Sequence, residues 1–406
     1  MQFETSYDYR IESFKARVYS GRDALASLPA EIKRQKARRA FIICGRSVSR
    51  RTPLIDDLRK LLGDVLVGVY DEMGKDTPLA DCEAARDAVR AAGADLLIAV
   101  GGGSVIQGAR ITAILLAESG PLESLITQYP AEGPAISARL LAPKLPIINV
   151  LTNPTSAQNR GGSPAKYQGR RIEFFDPKTR PVALFWDPEA LATMPVSQLR
   201  TSAAALYWRV ALDMGYVRAT PLSVINRRGM FTLIRDAIRR LDDDSDDRGM
   251  MSARMDMCVA TFLQNREGDD GGARVPNWAG RFGYALSAAI INLHDEAGQG
   301  ESRAAITPTL VRMLGPRDPQ AMCNIAESLE VWKEGDPVAE APERVAVALG
   351  EAFRRLGMPL NLTELGIPKS SVPTLLQNSL TSFNADPKRE FRHHQDELRG
   401  VLEACW

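Results

Sequence analysis

The segment Leu96-Leu-Ile-Ala-Val-Gly-Gly-Gly-Ser-Val-Ile-Gln-Gly-Ala-Arg110 limits the possible folds more than any other stretch of the chain. Leu96 to Val100 reads as a buried strand, and it runs directly into Gly101, Gly102, Gly103 and Ser104 with a helix opening behind them. Glycines let backbone N–H groups approach an anion with no Cβ in the way, and the following helix directs its positive dipole end at the same anion. The segment is therefore a candidate phosphate cradle, although the same strand, turn and helix can also be a plain tight connection. Its surroundings repeat the pattern. Arg39 to Cys44 is a short apolar strand ending at Gly45, Leu58 to Leu66 has helical composition, Asp81 to Gly93 reads as a helix stopped by Gly93, and Pro146 to Leu151 is a further strand. Strand, helix, strand at this spacing is the βαβ unit of a parallel sheet, whose ligands bind beyond the C-terminal strand ends.

After Asp187-Pro188 the pattern turns helical, with Glu189 to Met214, Arg227 to Leu241, Ser252 to Gln264 and Ala279 to Leu293 as the expected helices. The acidic run Asp242 to Asp247 lacks the Gly and the terminal Glu of a calcium loop and reads as a solvated linker. Arg266 to Gly272 reads as a second polar insertion. A chain of 406 residues favours two domains at roughly 100–200 residues each.

Charge balance excludes a nucleic-acid partner: Lys and Arg number 51 against 50 Asp and Glu, a net charge of +1, so no long-range field attracts a phosphate backbone. No run of about 20 apolar residues predicts a membrane span, and the N-terminal stretch carries acids and aromatics where a signal segment has basic and then apolar residues. Cys44, Cys82, Cys258, Cys323 and Cys405 lie far apart, which suits reduced thiols and a cytoplasmic location. The three histidines, His294, His393 and His394, limit metal chemistry. His393 and His394 are neighbours in polar company, pointing about 100° apart on a helix, and read as surface residues.

The strand-GGGSxxxxA[KR] turn after a helix ending Ala92-Gly-Ala-Asp95 resembles the nucleotide-binding turn of the iron-containing (group III) alcohol dehydrogenases, a superfamily shared with glycerol dehydrogenase, maleylacetate reductase and dehydroquinate synthase. Lys144 to Val150 is similar to the strand leading into the family's Thr-rich cofactor loop. Pro181 to Pro188 resembles its strand-Asp-Pro link, and Leu362 to Trp406 its closing helices. The resemblance implies an α/β architecture: a Rossmann-like dinucleotide-binding domain with a parallel sheet over residues 1–187, an all-α domain over residues 188–406, and a cleft between them. It also implies a homodimer acting on a small-molecule substrate.

The departures from the family pattern carry the functional reading. Where the family has D-A-L-x-H, this chain has Ala204-Ala-Leu-Tyr-Trp208; where it has HAxAH, Tyr284-Ala-Leu-Ser-Ala288; and where it has a His-Gly pair, Gln299-Gly300. Ala, Trp, Tyr and Gln are not a ligand set for iron or zinc, so no catalytic metal is expected. The Asp of the family's GGGSxxD turn is Gln107, and its Thr-rich loop becomes Leu151 to Asn159, with Thr152, Asn153 and Ser156 as remaining hydrogen-bonders. After the first strand, the family's carboxylate is replaced by Gly45, with Arg46, Ser47, Arg50 and Arg51 behind it. Guanidinium groups without a carboxylate favour a 2′-phosphate, hence NADPH (NADP+), unless these arginines are only surface charges.

The expected function is thus a metal-independent NADP(H)-dependent oxidoreductase that transfers hydride to a small-molecule carbonyl, imine or activated alkene. In this reading Tyr284 donates a proton, His294 relays one, Gln299 holds the acceptor oxygen, and Tyr207, Trp208 and Arg209 line the substrate side. Two other readings stay open: a non-redox or non-catalytic descendant with a repurposed cleft, and cyclisation chemistry of the dehydroquinate synthase kind, which also relies on the missing ligands.

Overall fold

The computed structural model describes residues 4–241, 247–270 and 277–406. They form two compact units: residues 14–128 with 136–195, and the described residues of 1–13, 129–135 and 196–406. The short strand β1 (Glu4–Thr5) belongs to the second unit.

The first unit is α/β. In chain order it contains β2 (Arg17–Ser20), α1 (Leu28–Arg34), β3 (Ala40–Cys44), α2 (Arg46–Arg51), α3 (Leu54–Leu62), β4 (Leu66–Tyr70), α4 (Leu79–Ala91), β5 (Leu96–Gly101), α5 (Gly103–Ala117), β6 (Ile147–Leu151), β7 (Gly162–Tyr167), β8 (Arg170–Phe175), β9 (Ala183–Trp186) and α6 (Pro188–Ala192). Six strands make one sheet in the order β2-β9-β6-β5-β3-β4, and every neighbouring pair is parallel. The residues of β3, β5, β6 and β9 are buried throughout, the continuous apolar run of strands covered on both faces.

Two elements of this unit escape the sequence pattern. The apolar stripe Leu54, Ile55, Leu58, Leu62 sets α3 earlier than expected, and Leu66 opens the half-buried edge strand β4 where helix was expected to continue. Gly68 interrupts that strand because the Phe41 ring of β3 occupies the space of a side chain; a Cβ there would lie 2.5 Å from Phe41 Cε2. The antiparallel hairpin β7–β8 turns at Gln168 and Gly169, both left-handed (φ 50° and 71°), the two-residue turn whose twist matches paired strands.

The second unit holds α7 (Val196–Asp213), β10 (Arg218–Ala219), α8 (Pro221–Arg239), α9 (Asp247–Asp269), α10 (Trp278–Leu293), α11 (Gln299–Leu314), α12 (Pro319–Ser328), α13 (Ala341–Arg355), α14 (Val372–Ser379) and α15 (Gln395–Glu403). The region is helical as expected apart from the two-residue strand β10, which pairs in parallel with β1. The single helix expected over Glu189 to Met214 is two, because Pro195 turns the chain between α6 and α7. Helix α9 runs past Gln264 to Asp269, so the first part of the expected polar insertion is helical and its Glu267 and Asp270 are buried. Gly271 and Gly272 lie outside the described residues, as does the acidic run except for Asp247. Among the described residues, no helix is long and apolar enough to cross a membrane.

Candidate functional site

In the α/β unit the glycine turn stands at the C-terminal end of β5, near the middle of the sheet, and opens α5. Gly101 permits a close approach: a Cβ there would lie 2.7 Å from the Val105 side chain. Gly102 caps α5 in an extended conformation, facing Asn153 of the loop after β6 at 3.4 Å from its would-be Cβ. Asn153 Oδ1 is buried without a hydrogen-bond partner, and Thr152 donates its backbone N–H to the Gly101 carbonyl at 3.3 Å. A half-buried helix N-terminus offers N–H donors to a phosphate, and the unsatisfied acceptor beside it suits a hydroxyl or N–H of the same ligand.

Ser104 and Gln107 are engaged from the side. Ser104 Oγ accepts from Asp76 N at 3.0 Å, and Thr77 Oγ1 donates to the Ser104 carbonyl at 3.0 Å and to Gln107 Oε1 at 3.2 Å. Asp76 and Thr77 are both left-handed (φ 59° and 56°), an outlier for a β-branched residue such as Thr77. Behind the turn, Arg110 of α5 is fully buried and holds the opposite loop. It donates to the carbonyls of Ala157 (2.6 Å), Arg160 (2.8 Å) and Gly162 (3.1 Å) and to Ser163 Oγ (2.8 Å), and burial pulls its pKa down to about 9. Arg110 thus positions the segment carrying Thr152, Asn153 and Ser156, a role its motif position alone does not reveal.

At the end of β3, Gly45 is buried and caps α2, which carries Arg46, Ser47, Arg50 and Arg51 on an exposed surface. The expectation of arginines without a carboxylate is corrected by the fold. The end of β4 brings Asp71 and Glu72 alongside: Glu72 pairs with both Arg46 and Arg50, and Ser49 Oγ donates to Asp71 at 2.7 Å. The missed signal is β4 itself, because Asp71 and Glu72 reach the strand ends only if Leu66 to Tyr70 is a strand.

In the helical unit, four of the six expected site residues go to separate surroundings, and only Trp208 and Tyr284 share a neighbour. Tyr207 is a core residue, stacked on Phe231 (6.3 Å between centroids) and edge-on to Phe353 (6.4 Å), with its pKa pushed up to about 12 by burial; the expectation that it lines a substrate face is corrected. Arg209 is buried and bonded to Asp213 at 2.6 Å, one turn along α7. With Arg227 of α8 and Glu267 of α9, joined at 2.5 Å, it makes an internal network of two cations and two carboxylates. Trp208 faces elsewhere. The guanidinium of Arg303 on α11 lies 4.6 Å above its ring centroid and 6.0 Å from that of the half-buried Tyr284 on α10, and Arg303 Nη1 donates to the Ala205 carbonyl at 2.8 Å.

His294 ends α10, ten residues and about 15 Å of axial rise beyond Tyr284. Its Nε2 shares a hydrogen bond with Ser371 Oγ at 3.1 Å, and its Nδ1 lies 3.4 Å from Glu296. Gln299 is exposed at the start of α11. Trp208, Tyr284 and Arg303 are therefore the residues brought together, and Arg303 is the member that the sequence reading missed.

An open parallel sheet with a glycine-turn cradle, joined to a many-helix unit, defines the class of protein. Residues 15–188 match the family model described as iron-containing alcohol dehydrogenase. A phosphonoacetaldehyde reductase of Streptomyces viridochromogenes is 31% identical over 202 residues, 48% of each chain, so the alignment spans about half the length of that relative. A maleylacetate reductase of Burkholderia cepacia is 24% identical over 401 residues, covering 96% of this chain and 95% of that one. An archaeal halo-thermophilic alcohol dehydrogenase from a Red Sea brine pool shares the fold, with a TM-score of 0.82 at 15% identity over 100% of both chains. The likeness to the iron-containing alcohol dehydrogenase superfamily thus rests on residues 15–188, and the fold is shared over the whole chain.

The metal in that superfamily's name does not fit the residues present. The positions that the sequence resemblance assigns to the metal ligands hold Ala204, Trp208, Tyr284 and Gln299, and the Trp208 ring is covered by a guanidinium whose charge repels a second cation. Among the described residues, no group of three or more His, Cys, Asp or Glu is placed to hold a metal ion. A nicotinamide dinucleotide does fit: the α5 N-terminus suits its pyrophosphate, and the unsatisfied acceptor Asn153 Oδ1 suits one of its hydroxyl or amide donors.

Proposed function

We propose that this chain is a nicotinamide-dependent oxidoreductase that reduces a small-molecule carbonyl, imine or activated alkene without a catalytic metal. The observation that carries the reading is the cradle of Gly101, Gly102 and Gly103 at the head of α5, with Asn153 Oδ1 buried and unsatisfied beside it. When bound, the nicotinamide supplies the hydride. The chain's own groups hold the dinucleotide through the first-turn N–H groups of α5 and through Thr152, Asn153 and Ser156. Tyr284 is the proposed proton donor, because its hydroxyl is carried on a half-buried ring beside a fixed cation. His294 has no part in this proposal, since Ser371 and Glu296 hold it about 15 Å along the helix.

NADP(H) is the proposed form of the cofactor, with Arg46 and Arg50 as the partners of the 2′-phosphate. Their side chains are 68% and 58% exposed, and Glu72 competes for both. Glu72→Gln removes the competitor, so NADPH binding is expected to tighten about two- to fivefold, the size of an exposed ion pair, with NADH unchanged. Equal tightening for both nucleotides, read by fluorescence titration, refutes the assignment of these arginines.

The reading as a whole is tested by titrating NADPH and NADH into EDTA-treated protein while following nucleotide fluorescence. Micromolar NADPH binding that added Zn²⁺ or Fe²⁺ does not change is the expected result. Failure to bind either nucleotide overturns the oxidoreductase reading in favour of a repurposed, non-redox cleft.

A further inference from the structure

The loop between β4 and α4 runs along one face of α5. Ser104, Gln107 and Gly108 share that face, spaced three and four residues apart, and each meets the loop. The Met73 side chain fills the notch at Gly108, where a Cβ would lie 2.5 Å from Met73 Cε. Asp76 gives its backbone N–H to Ser104 Oγ, and Thr77 Oγ1 reaches both the Ser104 carbonyl at 3.0 Å and Gln107 Oε1 at 3.2 Å. Thr77 is fully buried in a left-handed conformation (φ 56°) that a β-branched residue avoids, so its surroundings hold it there. One of the holding contacts comes from Lys166, whose backbone N–H bonds the Thr77 carbonyl at 3.0 Å. The Thr77 hydroxyl has one proton, and it is shared between two acceptors. The oxygen of the Gln107 amide is therefore turned to the loop, which leaves the other arm, Nε2 with its two N–H donors, directed away from it. Gln107 is half-buried, one turn beyond Gly103 along α5.

We infer that Thr77 is a positioning residue, which fixes the Gln107 amide so that α5 offers a hydrogen-bond donor to an oxygen of the bound dinucleotide just beyond the glycine turn. The inference rests on the proposed nucleotide site. Thr77 itself is buried and touches no ligand; it acts through Gln107. Across the turn, Asn153 Oδ1 is an acceptor, so the two sides of the cradle have opposite polarity. A ligand that satisfies both brings an acceptor oxygen to α5 and a hydroxyl or N–H to the loop after β6, which a phosphate joined to a ribose does. The strained backbone at Thr77 is kept because it aims this hydroxyl, and a residue that relaxed the loop without a hydroxyl would leave the Gln107 amide free to turn.

The test is a double-mutant cycle read by NADPH fluorescence titration on the full chain. Thr77→Val removes the hydroxyl but keeps the shape and the β-branching, so the backbone strain is the same in both proteins. It is expected to weaken NADPH binding about threefold to tenfold, the worth of one hydrogen bond, and Thr77→Ser, which keeps the hydroxyl, to stay within about twofold of wild type. In a Gln107→Leu background, Thr77→Val is expected to add no further loss. A residue that only supports the loop would cost the same in either background; that additivity, or a Thr77→Val protein that binds like wild type, overturns the inference. Gln107→Glu tests the orientation without touching Thr77. Its carboxylate still accepts from the hydroxyl but puts a negative oxygen where the donor stood, so the expected loss exceeds that of Gln107→Leu. Binding as tight as wild type overturns the inference, and this comparison carries the test if Thr77→Val fails to give a native circular dichroism spectrum. In each of these failures NADPH binding by wild type leaves the oxidoreductase reading standing, whereas a wild type that binds neither NADPH nor NADH overturns both.

Discussion

Gly101→Ala and Gly102→Ala are expected to fail differently, although the two residues are adjacent and both belong to the turn. At Gly101 a new Cβ meets Val105 Cβ and Cγ2 at 2.7 Å, inside a strand-to-helix connection whose Val105 is itself buried. Either β5 or the first turn of α5 must shift, and the strain is expected to destabilise the α/β unit by about 2 kcal/mol. At Gly102 the backbone is extended, which alanine adopts freely, and the nearest atoms are Asn153 Cβ and Nδ2 at 3.4 and 3.5 Å, ordinary contacts. Gly102→Ala should therefore melt like wild type. What it changes is the approach to the N-terminus of α5 and the freedom of Asn153 to turn its unsatisfied Oδ1 toward a ligand. Losing one or two charge-assisted backbone bonds is expected to weaken NADPH binding about tenfold to a hundredfold. Thermal unfolding and nucleotide fluorescence on both variants separate the effects. A Gly102→Ala protein that binds NADPH as tightly as wild type removes the glycine turn from the nucleotide site.

The parts of the fold that are local in the chain are the parts that sequence reading recovers. Strand β5, its glycines and α5 occupy consecutive residues, and the burial of the strand on both faces writes itself as an unbroken apolar run. Edge strand β4 has no such signature, since it is half-buried and broken by Gly68 for the Phe41 ring. Missing it hides Asp71 and Glu72, so the arginines of α2 look unopposed until the strand order places them beside β4.

The candidate residues of the helical unit are not legible in the sequence for a geometric reason. Tyr207, Trp208 and Arg209 are consecutive, but each step on a helix turns about 100°, so the three cannot line one surface. The structure sends Tyr207 to Phe231 and Phe353, Trp208 to Arg303, and Arg209 to Asp213. The Trp208–Arg303 contact joins residues 95 positions apart on different helices. Nothing in the local pattern of either segment encodes it. The same holds for Glu267, which polar neighbours in sequence disguise as loop and which the α8–α9 packing makes a buried ion.

Arg227→Met is expected to be the most damaging substitution in the helical unit, and its cost should depend on pH. Burial raises the pKa of Glu267 to about 7, with the Arg227 guanidinium pulling it back down and the Asp213 carboxylate pushing it further up. A carboxyl whose folded pKa lies above its unfolded value of roughly 4.3 favours the native state in its protonated form. Between those two values the native state binds the extra proton, so this group's contribution to stability falls as pH rises and is lowest above the folded pKa. Removing Arg227 takes away the largest force holding the pKa down, and Arg209, already bonded to Asp213, remains the second cation of the network. At pH 8 the variant must either bury an ionised Glu267 stripped of its bonded cation or take up a proton that the unfolded chain does not hold, a loss of up to about 3–5 kcal/mol. At pH 5.5 Glu267 can take up a proton, and the cost shrinks toward the packing loss alone. Urea unfolding of wild type and variant at the two pH values reads the difference directly. An equal loss at both would mean that Glu267 is not charged in the native protein at pH 8, and that Arg227 contributes through its packing over Tyr216, 5.0 Å from the ring centroid, instead of through charge.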